Sequence, residues 1–360
     1  MYRQIIKPLL FTLDAETAHD FIFRAAAEVQ RVDAFVALTA LLWGKIPGQL
    51  HQRIWDLDFP GPVGLAAGFD KNARLAVLLS HCGFGFLEIG SITARASAGN
   101  PRPRAFRLPA DQALINRMGL NNDGADVIIR RLLKTTGCAV PVGINIAKTH
   151  DSSITGDAAV DDYHYSFNRA LPAADFITVN ISCPNTSDGK TFESSGPLHA
   201  LLTRLYQAEN RPAVPVLVKF SADIDTAELK DLAGICESFG VDGYVAVNTS
   251  ARRLNLATGS DRVRSIGNGG LSGLPIRDQA LHVLRELRDL TNGEKPLIGV
   301  GGIMSPADAI ERIRAGAWLL QTYTGLVYNG PGFIKQLNKG IAADLEKRGM
   351  NSLAELRTSG

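Results

Sequence analysis

The sequence predicts an α/β chain, a (β/α)8 TIM barrel preceded by a small helical extension. Three observations carry that expectation: from residue 61 onward short apolar runs alternate with segments of helical period, eight such runs occur, and each ends in glycine or a polar residue. Alternating strand and helix signals favour a parallel sheet, and eight repeats favour its closure into a barrel. Strand count does not by itself prove closure, so an open doubly wound sheet stands as the alternative.

The expected strands are Val63–Ala67, Phe86–Ile89, Val142–Ile146, Phe176–Ile181, Val216–Phe220, Gly243–Val247, Leu297–Val300 and Leu319–Tyr323. Helix-like stretches lie between most of them: Asn72–Cys82, Gly124–Thr136, Thr226–Phe239, Ile276–Leu290 and Pro306–Ala315. In order, the strand ends carry Gly68-Phe-Asp-Lys71, Gly90-Ser91, Asn145, Asn180, Lys219, Asn248, Gly301-Gly302 and Thr324-Gly325. A barrel sets all these ends on one rim, where its active sites lie. The segment Ala105–Ile115 reads as a hairpin with its turn at Ala110-Asp111, which brings Asn116 over that rim.

Residues 1–50 precede the first strand and form a separate helical module; the barrel occupies residues 51–360. Asp14 has the position of an N-cap for a helix whose Ala18, Phe21, Ile22, Ala25 and Val29 share one face. With the apolar run Ala34–Trp43, this module is suited to lie on a membrane surface, or simply to pack on the barrel. No apolar run approaches the roughly 20 residues of a membrane span.

Composition narrows the function classes. The chain has 360 residues, 45% hydrophobic and 21% charged, with a formal net charge of +2. That balance gives no whole-chain reason to expect nucleic-acid binding. The four cysteines, Cys82, Cys138, Cys183 and Cys236, include no C-x-x-C pair, so no iron–sulfur or structural zinc site is expected.

The stretch Asn180-Ile-Ser-Cys-Pro-Asn-Thr186 ends an apolar strand on two carboxamides bracketing a thiol. Carboxamides offer donors and acceptors for a flat heterocycle with carbonyls and ring N–H groups. The thiol, with an unperturbed pKa of about 8.5, is suited to take a proton. Lys219 alternates with apolar neighbours and should point into the barrel mouth, where a buried ammonium needs an anion; Lys71 stands just past the first strand. Gly299-Val-Gly-Gly302, the helix start at Ser305-Pro-Ala-Asp308 and Tyr323-Thr-Gly325 form the loops after strands seven and eight, the usual phosphate pocket of such barrels.

The motifs Leu65-Ala-Ala-Gly-Phe-Asp-Lys71, Glu88-Ile-Gly-Ser91, Gly99-Asn-Pro-Arg-Pro-Arg104, Ile115-Asn-Arg-Met-Gly-Leu-Asn121, Gly143-Ile-Asn145, Asn180–Thr186, Asn248-Thr249 and Gly269-Gly-Leu-Ser-Gly273 occur in one order along the chain. In that order the chain resembles the dihydroorotate dehydrogenases, flavin enzymes of pyrimidine biosynthesis. The resemblance implies FMN across the barrel mouth, at Ala67, Gly68, Lys71, Ser91, Asn145, Asn180, Lys219, Val247, Gly273, Gly302, Tyr323 and Thr324. It places orotate at Lys71, Asn116, Arg117, Met118, Gly119, Leu120, Asn180, Asn185, Asn248 and Thr249. Cys183 would be the base that takes a proton from dihydroorotate, and Lys219 would stabilise the reduced flavin.

The helical extension resembles that of the membrane-associated members that reduce quinone, with Tyr2, His19, Arg107 and Tyr323 where those relatives line a quinone tunnel. The expected enzyme is therefore a peripheral membrane protein, on the cytoplasmic face if bacterial, needing no iron–sulfur partner. One feature departs: cysteine at position 183 is usual in the soluble class, whereas quinone-reducing relatives usually carry serine. A soluble-type enzyme using fumarate or another acceptor, or a flavin-binding barrel without turnover, remain the alternatives.

Overall fold

The computed structural model describes residues 2–182, 192–206 and 212–359. Eight parallel strands close into a barrel: β1 (Val63–Leu65), β2 (Phe86–Ile92), β3 (Val142–Ile146), β4 (Phe176–Asn180), β5 (Val216–Phe220), β6 (Gly243–Ala246), β7 (Leu297–Val300) and β8 (Leu319–Thr322). They pair in chain order, and the ring is sealed where Leu320 of β8 faces Val63 of β1. Closure removes every sheet edge, so the open-sheet alternative is excluded. Helices connect the strands on the outside, from Gly156–Ala170 and Ser195–Leu205 to Thr226–Ser238, Arg277–Leu290 and Pro306–Arg314.

The two ends of the barrel interior differ in chemistry. At the floor, Phe86, Phe176, Leu217, Val245, Ile298 and Leu319 form an apolar plug. A short hairpin, Gln52–Ile54 with Leu57–Phe59, covers it, and the Phe59 ring meets Phe86 edge-on at 5.7 Å. Gly143 is glycine because a Cβ there would lie 2.1 Å from the Phe176 ring. Above the plug the inward positions turn polar: Glu88, Asn145, Thr178, Lys219 and Gln321 are all at least nine-tenths buried. Polar groups so deeply buried need partners or a ligand.

The rim departs from the expected elements in two places. The helix expected over Asn72–Cys82 forms only at Ala76–Ser80. The Asp70 carboxylate accepts the backbone N–H groups of Asn72, Arg74 and Leu75 at 3.3, 2.9 and 2.7 Å, which holds that stretch in a turn. A strand that alternation does not reveal, Gly270–Gly273, pairs antiparallel with Ala113–Asn116 of the expected hairpin. The resulting three-stranded sheet ties the loop after β2 to the loop after β6 and lays Asn116 beside Gly270.

In the N-terminal module, helix α1 (Ala15–Val29) begins where expected. Asp14 Oδ1 accepts from the N–H groups of Glu16 at 3.1 Å and Thr17 at 2.9 Å. The run Ala34–Trp43 is helical, over Asp33–Thr39 and Ala40–Gly44. Most exposed large apolar side chains of the described residues sit in this module, among them Leu9, Phe21, Ile22, Phe35, Leu38 and Leu41. Among the described residues, no helix is long and apolar enough to cross a membrane.

Candidate active site

The polar strand ends converge on one hydrogen-bonded system at the rim. Asn145 at β3 donates through Nδ2 to Glu88 Oε1 of β2 at 2.6 Å, and its Oδ1 accepts from the Ser91 hydroxyl. Ser91 Oγ in turn accepts from Asn180 Nδ2 of β4 at 3.1 Å. Asn180 Oδ1 accepts from Asn248 Nδ2, past the end of β6, at 3.1 Å, and Asn248 Oδ1 accepts from the Thr249 backbone N–H at 2.8 Å. Backbone holds the chain in place: Tyr163 donates its hydroxyl to the Asn180 carbonyl at 2.6 Å, and Ser182 donates to the Lys219 carbonyl at 2.9 Å.

Two lysines face the same space. Lys219 is 5% exposed, borders the cavity, and has no hydrogen bond or ion pair among the described residues. Burial pulls its pKa below the ordinary lysine range, and the Glu88 carboxylate offsets part of that shift. Lys71 is lowered to about 8, chiefly by burial and then by the Arg104 charge, against opposing pulls from Glu16 and Asp20. Around them, Thr249 Oγ1, Gln321 Oε1 and Thr322 Oγ1 are buried and without a hydrogen-bond partner. An unpaired ammonium beside orphaned polar atoms fits a flat, polar, electron-accepting ring that becomes anionic when reduced.

Next to these groups, Gly273, Gly301, Gly302, Thr324 and Gly325 line a cradle. Gly302 has φ +71°, and a Cβ on it would lie 2.5 Å from the Arg277 Cα. Glycine is required here by the left-handed backbone and the close Arg277 backbone, and the loop borders the cavity where the phosphate cradle is expected. The helix beginning at Pro306 starts where expected, but its Asp308 N–H is capped by Ser305 Oγ, and neither Ser305 nor Asp308 borders the cavity. The cradle is therefore built by the glycines and the Thr324–Gly325 turn.

From this rim the cavity, about 670 Å³, runs under the N-terminal module. Tyr2, Ile6, Phe11, Ala18, His19, Ile22, Phe23, Arg107 and Tyr323 wall that arm. His19 stacks on Phe23 at 5.2 Å and meets Phe69 edge-on at 5.4 Å; Phe69 meets Tyr323 at 5.5 Å. Arg107 lies over the Phe11 ring at 4.5 Å and donates through Nη1 to the Leu13 carbonyl at 2.7 Å. Its Nε, like His19 Nε2, is buried without a partner. Burial raises the Tyr323 phenol to about 12. The Tyr2 hydroxyl donates to the Val327 carbonyl at 2.7 Å, pinning the N-terminal segment to the cavity wall.

The family model described as dihydroorotate dehydrogenase matches residues 49–345. The chain belongs to the dihydroorotate dehydrogenase family. It is 41% identical to the dihydroorotate dehydrogenase (quinone) of Thermobifida fusca, over 99% of this chain and 95% of the relative. It is 42% identical to that of Natronomonas pharaonis, over 98% and 97%. In three dimensions it is similar to the ligand-free enzyme of Eimeria tenella, with TM-score 0.84 and 30% identity over 96% of this chain and 99% of that one. The ferulenol complex of the same enzyme gives 0.83 and 31%, over 97% of each chain.

Of the residues expected around flavin and orotate, most border this cavity: Ala67, Gly68, Lys71, Ser91, Asn116, Met118, Leu120, Asn180, Lys219, Val247, Asn248, Thr249, Gly273, Gly302, Tyr323 and Thr324. Three do not. Asn145 stands behind Ser91, and Gly119 is packed against Asn100. Arg117 turns outward, over the Phe106 ring at 4.9 Å, donating to the Pro103 and Ile266 carbonyls. Cys183 and Asn185 lie outside the described residues. Two acidic residues had no role in the sequence reading. Glu16 borders the cavity while paired with Arg104, and Glu88 anchors the carboxamide chain. A lone carboxylate inside the apolar strand Phe86–Ile92 was the available signal for Glu88.

Proposed function

We propose that this chain oxidises dihydroorotate to orotate at the barrel rim, with FMN bound across the mouth, and passes the electrons to a membrane quinone. The observation that carries this is the single continuous cavity joining the carboxamide and lysine cluster to the apolar arm under residues 1–50. Bound FMN supplies the hydride acceptor and the redox link to the quinone.

The chain's own residues supply the rest. Asn116, Asn180 and Asn248 orient the pyrimidine ring through its carbonyls and N–H groups, and Lys71 meets its carboxylate. Cys183 takes the proton from the ring carbon. The Lys219 ammonium sits ready for negative charge arriving on the pyrimidine side of the flavin. The glycine cradle takes the cofactor's phosphate on backbone N–H groups. In the tunnel, the unpaired Arg107 Nε–H is free to meet a quinone carbonyl, and His19 presents its unpartnered Nε2 beside it.

Residues 1–50 serve as the membrane-association and quinone-entry module, and residues 51–360 as the FMN-binding barrel. The exposed Leu9, Phe21, Ile22, Phe35, Leu38 and Leu41 supply the surface that lies on the bilayer, on the cytoplasmic side in a bacterial cell.

The test is anaerobic. Dihydroorotate added to the flavin-loaded protein should bleach its yellow absorption, and adding a quinone should restore it. Removing residues 1–45 should abolish quinone turnover and vesicle binding while bleaching survives. An unchanged spectrum on adding dihydroorotate refutes the activity; quinone turnover that survives truncation refutes the tunnel.

A further inference from the structure

We propose that Glu88 is a positioning residue that sets the donor and acceptor polarity of the inner links of the carboxamide chain, Asn145 and Ser91, on which the substrate-facing Asn180 is seated. This rests on the reading of the rim as the dihydroorotate site and deepens it.

The two ends of a carboxamide are nearly the same size, so shape alone does not decide which end faces a ligand. Here Glu88 fixes it for Asn145 and Ser91 at the inner end. The backbone at the rim agrees: the Ser182 N–H donates to Asn180 Oδ1 at 3.3 Å and the Thr249 N–H to Asn248 Oδ1 at 2.8 Å. Glu88 is fully buried, at 0% exposure, with no hydrogen bond or ion pair to a cation among the described residues. Its oxygens accept from two amides, Asn145 Nδ2 at 2.6 Å and Gln321 Nε2. A carboxylate only accepts, so Asn145 must turn its NH2 toward it.

Each later link follows. Asn145 is left with Oδ1 toward Ser91, so the Ser91 hydroxyl donates to it. The Ser91 oxygen then accepts, which obliges Asn180 to present Nδ2 at 3.1 Å. Asn180 Oδ1 is left to accept, from Asn248 Nδ2 at 3.1 Å and from the Ser182 N–H at 3.3 Å. Asn180 and Asn248 both border the cavity. Their remaining capacity is unequal: Asn180 keeps a spare N–H, whereas the Asn248 amino group is spent on Asn180 Oδ1 and the Ser182 carbonyl, leaving one lone pair on an oxygen that already takes the Thr249 N–H. That donor beside an acceptor is what a ring bearing adjacent carbonyl and N–H groups requires.

Glutamine at position 88 can donate or accept, so it leaves Asn145 and Ser91, and with them the seat of Asn180, without a fixed direction. Glu88→Gln is expected to raise the orotate dissociation constant of the flavin-loaded protein at least tenfold, measured by titration calorimetry at matched flavin content. Ser91→Ala cuts the chain one link later and should give a similar loss. The double variant should be no worse than the worse single variant, because both substitutions break one relay. Losses that add, or wild-type orotate affinity in E88Q, would overturn the proposal. Should E88Q fail to fold, S91A with wild-type orotate affinity would overturn it equally. A wild-type protein that binds no orotate and is not bleached by dihydroorotate would instead sink the reading of the site.

Discussion

Glu16 of helix α1 and Arg104 of the loop before the rim hairpin form an ion pair at 2.8 Å in which each residue is only 6% exposed. The guanidinium also donates through Nη1 to the Ala98 and Asn100 carbonyls at 2.6 and 3.0 Å, so the loop is shaped around it. With Arg102, which reaches Glu16 at 3.0 Å and Asp20 at 3.1 Å, the pair joins the N-terminal module to the barrel, and it lies beside Lys71. Removing one partner of a buried pair leaves the other uncompensated, at a cost of about 3–5 kcal/mol. Glu16→Gln should therefore lower the thermal midpoint and cut quinone turnover more than dihydroorotate-driven bleaching. Equal loss in both half-reactions would contradict the assignment of this joint to the tunnel.

Lys71 should give the proposed substrate site a pH limit. With its pKa lowered to about 8, the side chain is a cation below that value and neutral above it. Affinity for the orotate carboxylate should be flat in acid and fall as pH rises through about 8, approaching that of Lys71→Met. Glu16 pulls this pKa upward, so Glu16→Gln should move the fall to lower pH. Calorimetric titration between roughly pH 6.5 and 9.5 checks this, with constant affinity counting against a charged Lys71 contact.

Gly302 should tolerate no side chain. Alanine there meets the Arg277 Cα at 2.5 Å with a positive φ, so the loop must move. A strain of about 1–3 kcal/mol falls on the anion cradle. Gly302→Ala should purify with sharply reduced flavin content and a weaker flavin dissociation constant, measured by quenching of free flavin fluorescence. Full flavin occupancy would place the phosphate elsewhere.

Arg107 should separate the two half-reactions. Arg107→Leu keeps an apolar stem over Phe11 but removes the unpaired Nε–H. The KM for quinone should rise about tenfold, near 1.4 kcal/mol, while dihydroorotate still bleaches the flavin at the wild-type rate. Slower bleaching at unchanged quinone KM would move Arg107 out of the tunnel.

Cys183, the proposed base, should set the acid side of the rate profile. A thiol ionises near pH 8.5, far below a serine hydroxyl, so it is the better base at low pH. Cys183→Ser should shift the acid limb of kcat for bleaching to higher pH. An unmoved limb would show that another group takes the proton.

Much of the fold and of the site was legible in sequence because barrels repeat. Each strand must be apolar where it faces the helices, and its end can be polar only where it reaches the rim, so the run and its terminal residue carry both signals. Asn180, Lys219 and Asn248 were found that way. Arg117 illustrates the limit. It lies in the right motif, yet its guanidinium finds carbonyls of Pro103 and Ile266 outside the cavity, a choice that local sequence does not encode. The strand Gly270–Gly273 escaped because glycines give no alternation; only its pairing with Ala113–Asn116 makes it a strand.

Local chemistry alone determined the strand and helix alternation, the Asp14 cap and the candidate carboxamides and lysines, since each depends on near neighbours in the chain. Only the closed barrel decided which of them meet. Glu88 and Asn145 are 57 positions apart, and Glu16 and Arg104 are 88 apart. A carboxylate buried so deeply acquires its meaning from distant donors, and only the folded chain brings those donors within reach.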